Sequence, residues 1–267
     1  MSFTIKVDPV LVEARHRESK AYKHMIKESI AKVKLNGYEL RDIDYQTEEI
    51  CIAAVRENGF ALVYVKDQTE EICLEAVNRN GSALQYVENQ TMKICLTAVK
   101  QHRFALKYVR EQTESICIAA IREDLNAFEY VREQTEAICW ELVKRDMCRI
   151  SEIHNPSEDL CFYVLECKPL FLKYIKNQTE EMCLMVVKHH GLFLSLVKNQ
   201  TEKICLEAVK QNGKALRDVE DQTLDICLAA INQYARSIEY VRDPEMREMC
   251  RQFSKGIRFL KTKSAKS

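Results

Sequence analysis

The stretch Gln200–Asp221 reads Q-T-E-K-I-C-L-E-A-V-K-Q-N-G-K-A-L-R-D-V-E-D, and variants of it fill most of the 267-residue chain. Its opening Gln-Thr pair recurs every 22 residues, or after 44 where Pro156 replaces the glutamine. With the glutamine as repeat position 1, the chain holds about eleven copies, and a fixed period of this length is typical of tandem-repeat proteins. The pairs begin at Gln46, Gln68, Gln90, Gln112, Gln134, Gln178, Gln200 and Gln222.

The first half of each copy predicts an amphipathic α-helix. Threonine at position 2 is a good N-cap and glutamate at position 3 an acidic first turn, with Ser157 as the cap in the Pro156 copy. Positions 5, 6, 9 and 10 are apolar and form one helical face. Glycine recurs at position 14, where we expect it to end the helix in the left-handed αL conformation. These glycines are Gly37, Gly59, Gly81, Gly191 and Gly213, while Gly256 lies at position 13.

The second half of each copy predicts another, shorter helix of about two turns, because apolar residues follow at positions 16, 17 and 20. One such hairpin cannot bury its own apolar faces, so neighbouring hairpins must stack. The sequence therefore predicts an all-α fold, an α-solenoid of about eleven 22-residue helical-hairpin repeats forming an extended superhelix. A leucine-rich repeat has a similar period, but its strand pattern and asparagine ladder are missing from this sequence.

Three segments are expected along the chain. Residues 1–23 predict an N-terminal capping helix region, residues 24–255 a single solenoid, and residues 256–267 a cap remnant with a basic, disordered tail. Near residues 140–170 the pattern is irregular, since this segment holds the only tryptophan and two cysteines outside the register. We interpret it as a bend or repacked joint, with a partner-specific epitope as the alternative.

The core Ala-Val-Lys-x-Asn-Gly-x-Ala-Leu, present at Ala208–Leu216, resembles the tandem helical repeats of unknown function found in Mimivirus-type giant viruses and some bacteria. The resemblance covers roughly residues 24–255. It implies a helical repeat fold and little biochemistry. Five copies lose the glycine of the Asn-Gly pair, which puts their turn geometry in question: His102-Arg103, Asp124-Leu125, Asp146-Met147, Lys168-Pro169 and Tyr234-Ala235.

Composition and motifs narrow the class of protein. Lys and Arg total 40, equal to Asp and Glu, so no overall field attracts nucleic acid or an anionic membrane. No apolar stretch approaches the roughly 20 residues of a membrane span. We expect a soluble intracellular protein, in the host cytoplasm if viral.

No nucleophile elbow, phosphate-binding loop or zinc-protease motif occurs in the sequence. We therefore predict that the protein is not an enzyme and has no catalytic, cofactor-binding or metal-binding residues.

Nine of the 12 cysteines share position 6 of the repeat. Adjacent helices lie about 8–10 Å apart, farther than the roughly 4.4–6.8 Å of a disulfide, and a ladder does not converge on one zinc ion. We interpret these cysteines as small buried apolar residues. A metal site of Cys148, His154 and Cys167 matches no known ligand spacing and is not favoured. The ladder is Cys51, Cys73, Cys95, Cys117, Cys139, Cys161, Cys183, Cys205 and Cys227.

Two further rows are candidates for partner binding. Tyrosines at position 19 suit protein recognition or base stacking, although we favour rings that pack against the next repeat with their hydroxyls bonded nearby, for example to the recurring glutamine. Basic residues at positions 11 and 21 suit a phosphate backbone, although we favour ordinary electrostatic complementation of helix ends and acidic residues. The candidates are Tyr64, Tyr86, Tyr108, Tyr130, Tyr174, Tyr240, Lys66, Arg110, Arg132, Lys176, Lys198 and Arg242.

The predicted function is a non-catalytic scaffold for protein–protein interaction, with an unidentified partner, no cofactor and no membrane association. The expected contact surface is the exposed row on the short helices, including positions 15, 18 and 22, because these positions differ between copies. The alternatives are RNA or single-stranded nucleic-acid binding through the basic and tyrosine rows, and a structural virion component.

Overall fold

The computed structural model describes residues 20–253, which divide into two compact units between residues 142 and 143. The first unit ends, and the second begins, inside the helix Glu136–Arg145. Most of the predicted N-terminal capping segment and the predicted basic tail lie outside the described residues. The helix Lys20–Leu35 begins in the predicted capping segment, residues 1–23, and continues into the predicted repeat segment, and its 16 residues exceed the 10 of the later long helices.

Each repeat folds as a hairpin of one long α-helix and one short helix, and residues 20–253 contain no β-strand. This confirms the predicted all-α solenoid. The long helices of the first unit are Lys20–Leu35, Glu48–Glu57, Glu70–Arg79, Met92–Gln101 and Glu114–Glu123, followed by Glu136–Arg145 at the division. Those of the second unit are Glu158–Cys167, Glu180–His189, Glu202–Gln211 and Leu224–Gln233, and a further helix spans 244–253.

The short helices have the predicted extent but are 3₁₀-helices of six residues, except for the α-helical turn Ala105–Tyr108. A 3₁₀-helix has about three residues per turn, so positions 15 and 18 lie on the same side. In the first unit they are Gly37–Asp42, Gly59–Tyr64, Gly81–Tyr86 and Leu125–Tyr130. In the second they are Met147–Glu152, Pro169–Tyr174, Gly191–Leu196, Gly213–Asp218 and Ala235–Tyr240.

Side-chain caps begin both helices of a hairpin. The Thr69 hydroxyl accepts a hydrogen bond from the Ile72 amide at 3.3 Å, and Ser157 accepts one from Leu160 at the same distance, as predicted. Asn58 starts the following short helix by accepting from the amide of Phe60 at 3.0 Å. Where Asn-Gly is lost, an aspartate can replace it: Asp124 accepts from the amide two residues later, at 2.8 Å. The turn therefore survives that departure.

The predicted αL glycine is wrong, because none of the described glycines has a positive φ. The long helix ends instead at Asn58, whose backbone is extended (φ −141°, ψ 109°), and Gly59 begins the short helix. A Cβ atom at Gly59 would lie 2.5 Å from the main-chain oxygen of Ala76 in the next repeat. Glycine is required here because two repeats approach each other main chain to main chain.

The core of each unit is formed by the repeating apolar positions. In one repeat Ile50, Ala54, Val55 and Leu62 are fully buried and Cys51 is almost so. The long helix of this repeat, Glu48–Glu57, packs on the long helices before and after it and on the preceding short helix. A long helix therefore contributes to two interfaces, which is why hairpins of this size form a stable core only in tandem. None of the helices in residues 20–253 combines the length and apolarity needed to cross a bilayer.

Candidate interaction surface

The recurring glutamine joins successive repeats. The Gln90 amide donates hydrogen bonds to the main-chain oxygens of Leu84 at 3.2 Å and Tyr108 at 3.0 Å. Its oxygen accepts the main-chain N–H of Arg110 at 2.9 Å. One side chain therefore satisfies polar groups of two consecutive short helices. Five glutamines bond the main-chain oxygen six residues earlier, in the preceding copy: Gln46, Gln90, Gln112, Gln178 and Gln222. These five, with Gln68 and Gln200, also bond the residues 18 and 20 positions later in their own copy.

The threonine and glutamate that follow also join repeats. The Thr69 hydroxyl donates to Glu48 of the preceding repeat at 2.9 Å, and the Thr201 hydroxyl donates to Glu180 at 3.0 Å. The glutamate predicted to complement the helix dipole therefore also accepts a bond from its neighbour. With the glutamine, these residues form the joint between adjacent helix N-termini.

The position 19 tyrosines are half-buried, and three of them, Tyr64, Tyr86 and Tyr130, contact a ring of the preceding repeat, whereas Tyr174 contacts Phe171 of its own short helix. Tyr64 meets the Tyr38 ring edge-on, with centroids 6.0 Å apart, and Tyr130 meets Phe104 at 5.5 Å. The recurring glutamine bonds the main-chain oxygen of the tyrosine, not its hydroxyl as we expected. All six candidate tyrosines, Tyr64, Tyr86, Tyr108, Tyr130, Tyr174 and Tyr240, are half-buried.

The basic residues at position 21 are exposed, yet most of them bond the main chain of the preceding repeat. The ammonium of Lys66 donates to the oxygen of Asp44 at 2.9 Å, and the guanidinium of Arg132 donates to the oxygen of Arg110 at 3.0 Å. Arg110, Lys198 and Arg242 make equivalent bonds, and Lys176 is exposed. These cations complement carbonyl groups at the ends of short helices. Contact with a partner through them stays a prediction.

Position 11 cations on the long helices are also paired in places. Arg56 bonds Glu75 of the next repeat at 2.7 Å and holds the pKa of that carboxyl below its usual value. Arg122 and Glu141 repeat the arrangement at 3.0 Å. Exposed pairs of this kind contribute about 0–1 kcal/mol to stability. They nevertheless reduce the number of unpaired cations available to an anionic partner.

The cysteine ladder is buried, as predicted. Burial raises the pKa of Cys51, Cys73, Cys117, Cys161, Cys183, Cys205 and Cys227 to about 11, so these thiols are protonated and poorly nucleophilic at neutral pH. Cys148, His154 and Cys167 are exposed. Within the described part of the chain, no three His, Cys, Asp or Glu side chains are placed to hold a metal ion.

Positions 15 and 18 of the short helices differ from all the positions above, because copies differ there and several side chains are both apolar and exposed. We call the side chains at these two positions the short-helix face. Tyr38 and Phe104 at position 15 are 42% and 38% exposed, and Val63 at position 18 is 47% exposed. In the sequence, these exposed side chains are aromatic and aliphatic residues that lie outside the core pattern. The predicted variable surface included positions 15 and 18 but did not single out these residues. The short-helix face is the candidate interaction surface.

Comparison with known proteins agrees with a repeat architecture. The family described as "Domain of unknown function (DUF4116)" matches residues 47–92 and again residues 69–114, two overlapping windows offset by one 22-residue period. No curated protein and no solved structure matches the chain. Residues 47–114 are thus similar, in tandem register, to a family whose function is unknown.

Proposed function

We propose that this protein is a non-catalytic repeat scaffold that binds another protein through its short-helix face. One observation carries the proposal: the recurring polar side chains are engaged between repeats, whereas several apolar side chains at positions 15 and 18 stay exposed. The rings of Tyr38 and Phe104 are covered only in part, by tyrosines of the next repeat. Aromatic residues are enriched at the centres of protein interfaces and supply much of their binding energy. Differences between copies at these positions would let one scaffold recognise one partner.

A nucleic-acid role is less well supported by the same contacts. The donors of Lys66, Arg110, Arg132, Lys198 and Arg242 are engaged with main-chain oxygens. Phosphate binding would compete with these bonds. Enzymatic catalysis needs a singular constellation of nucleophile, base and orienting group, whereas this chain repeats similar positions. We therefore propose binding without catalysis.

The test is recovery of partners on the full-length tagged protein from its native cells, with and without nuclease. A variant of the short-helix face, Tyr38→Ser with Val63→Ser and Phe104→Ser, is compared with a control, Leu35→Ser with Met92→Ser. The control removes exposed apolar side chains from the long helices of the same unit, where Leu35 is 87% and Met92 47% exposed.

We expect a nuclease-resistant protein that is retained by the wild type and the control and lost from the short-helix-face variant. Equal recovery from all three would place the contact elsewhere. Recovery that disappears after nuclease treatment would move the assignment to nucleic acid. Circular dichroism of each variant establishes that its helical content is unchanged.

A further inference from the structure

Two adjacent short helices of the second unit carry exposed leucines. Leu170 on Pro169–Tyr174 and Leu192 on Gly191–Leu196 both occupy position 15 and are 45% and 42% exposed. The Gln178 amide donates to the main-chain oxygen of Leu172 at 2.9 Å and of Leu196 at 3.0 Å. Because one side chain makes hydrogen bonds to both short helices, the two helices lie side by side. Both leucines occupy equivalent positions on them.

The charged side chains that these two short helices and their flanking loops carry are all basic. Residues 167–179 and 182–201 contain no aspartate or glutamate. Lys168, Lys173, Lys176 and Lys198 are all exposed there. Together with Leu170 and Leu192 they form what we call the lysine-leucine face. The acidic residues nearest in sequence, Glu166, Glu180 and Glu181, belong to the long helices.

Two other short helices pair an arginine with the aspartate that follows it. Arg41 pairs with Asp42 at 3.3 Å, and Arg217 pairs with Asp218 at 3.1 Å. In the lysine-leucine face the cations instead contact rings or main-chain oxygens: the Lys173 ammonium lies 4.6 Å from the Tyr174 ring centroid, and Lys198 bonds Ile175 at 3.0 Å. None of these contacts cancels the positive charge. An acidic partner would supply the missing counter-charge.

A cavity opens at the border of the lysine-leucine face. Its volume is about 360 Å³, and its wall includes Pro169, the first residue of one short helix, and His190, which precedes the other. That volume lies in the range of roughly 300–1,000 Å³ that is typical of binding pockets. The remaining lining mixes polar and apolar side chains: Glu166 and His189 with Leu165, Met185 and Val186. The cavity therefore offers an apolar side chain contact with Leu165, Met185 and Val186.

We propose that the lysine-leucine face binds an acidic protein segment that also carries apolar side chains. The inference rests on the proposed protein-binding function and names the chemistry of its partner. Carboxylates of the segment pair with Lys168, Lys173 and Lys176, while its apolar side chains cover Leu170 and Leu192 and enter the cavity beside Pro169. RNA would meet the same charge but has no aliphatic side chains to cover the two leucines, and a membrane surface presents no single side chain to the cavity.

The experiment measures fluorescence anisotropy of labelled peptides with the full-length protein. The probe is a peptide of Glu, Leu and Ser. One control peptide has Lys in place of Glu, and another has Ser in place of Leu. We expect the probe to bind at least about tenfold more tightly than either control, and to weaken with added salt because charge pairs are screened.

Two protein variants locate the contact. Leu170→Ser with Leu192→Ser, and Lys173→Glu with Lys176→Glu, should each weaken the probe at least about tenfold. The matched control, Leu35→Ser with Lys93→Glu, changes an exposed leucine and an exposed lysine on long helices of the first unit, outside the short-helix face, and should leave affinity unchanged. Circular dichroism shows that each variant is folded.

Three results would overturn the inference. The first is equal affinity for the acidic and basic peptides, and the second is equal binding by all variants. The third is that phosphatidylserine vesicles or single-stranded RNA bind through this face while the acidic peptide does not. A cellular protein partner that survives Leu170→Ser with Leu192→Ser, but is lost with the Tyr38, Val63 and Phe104 changes, would remove this inference and leave the proposed function standing. Failure to recover any protein partner would count against the proposed function itself, whatever the peptides show.

Discussion

The side-chain amide nitrogen of Gln90 lies 3.0 Å from the main-chain oxygen of Tyr108, 18 residues away, and binds it as a hydrogen-bond donor. The same side chain holds the oxygen of Leu84 and the amide of Arg110. A glutamine at this position therefore acts as a polar bridge between consecutive repeats. Its recurrence reflects a contact that each repeat has to make with its neighbour.

Replacing Gln90 with leucine should destabilise the protein by about 2–4 kcal/mol, because the Tyr108 oxygen and the Arg110 amide lose this partner. The Leu84 oxygen loses one of two bonds and keeps the Val87 amide. Urea denaturation followed by circular dichroism measures the change. The control is Gln85→Leu: Gln85 is exposed and bonds only locally, to Ser82 at 3.1 Å, so the cost should stay near 0.5 kcal/mol or less. Equal midpoints for the two variants would show that the bridge contributes nothing.

Gly59→Ala should destabilise by about 1–3 kcal/mol, as overpacking of a close contact does. The added methyl would meet the main-chain oxygen of Ala76 at 2.5 Å, and a main-chain atom cannot move aside unless the repeats separate. The control, Ala235→Ser, adds one heavy atom at the same repeat position, where the side chain is exposed. If Gly59→Ala were as stable as the wild type, glycine would not be required by the close approach.

Ser237→Ala should stabilise the protein by about 1 kcal/mol. Ser237 is fully buried, and its hydroxyl is the one buried side-chain polar atom that lacks a hydrogen bond within residues 20–253. Alanine occupies the equivalent position in five other repeats, including Ala215. The reverse change, Ala215→Ser, should destabilise by a similar amount, because it buries a hydroxyl where alanine packs. Thermal denaturation of both variants shows whether each change stabilises or destabilises the protein.

Only Cys148 and Cys167 should react rapidly with a thiol reagent in the folded protein, because the other ten cysteines are buried. All 12 should react after denaturation. The measurement is the absorbance released by Ellman's reagent at neutral pH, with and without urea. Removal of both exposed thiols, by Cys148→Ser with Cys167→Ser, should abolish the rapid phase. A remaining rapid phase would mean that the ladder opens in the native state.

Alkaline pH should weaken the fold through the same ladder. An unfolded thiol ionises near pH 8.5–9, whereas burial raises the pKa of Cys117 and Cys205 to about 11. Between these values the unfolded chain releases protons that the folded chain keeps, so the free energy of unfolding falls as the pH rises and is unaffected by these groups below about pH 8. Urea midpoints from pH 7 to pH 10 measure the slope.

The variant Cys117→Ala with Cys205→Ala supplies the comparison for the alkaline slope. Lysines and tyrosines also titrate above about pH 10, but they are common to both proteins and cancel in the difference. The variant should therefore lose less stability between pH 8.5 and pH 10 than the wild type. Parallel curves would show that the two thiols do not contribute.

The sequence alone determined the period, the helical hairpin, the threonine caps and the buried cysteine ladder, because these follow from interactions within one turn of helix and from apolar periodicity. It also pointed to positions 15 and 18 as a variable surface, although their exposed leucines and aromatic rings became visible only when the core was known. The prediction of a left-handed glycine was wrong for a related reason. A local rule for helix ends assigned the αL conformation to Gly59, whereas glycine is needed there because the next repeat comes close to it.

Only the tertiary structure decided which side chains are engaged between repeats. Gln90, Arg132 and Gly59 each meet main-chain atoms between 17 and 25 residues away, distances along the chain at which no local propensity acts. When the repeats stack, these atoms come together and engage hydrogen-bond donors that an isolated repeat would leave free. The surface available to a partner consists of the groups that stacking leaves exposed, so it can be identified only from the stacked repeats and not from one copy.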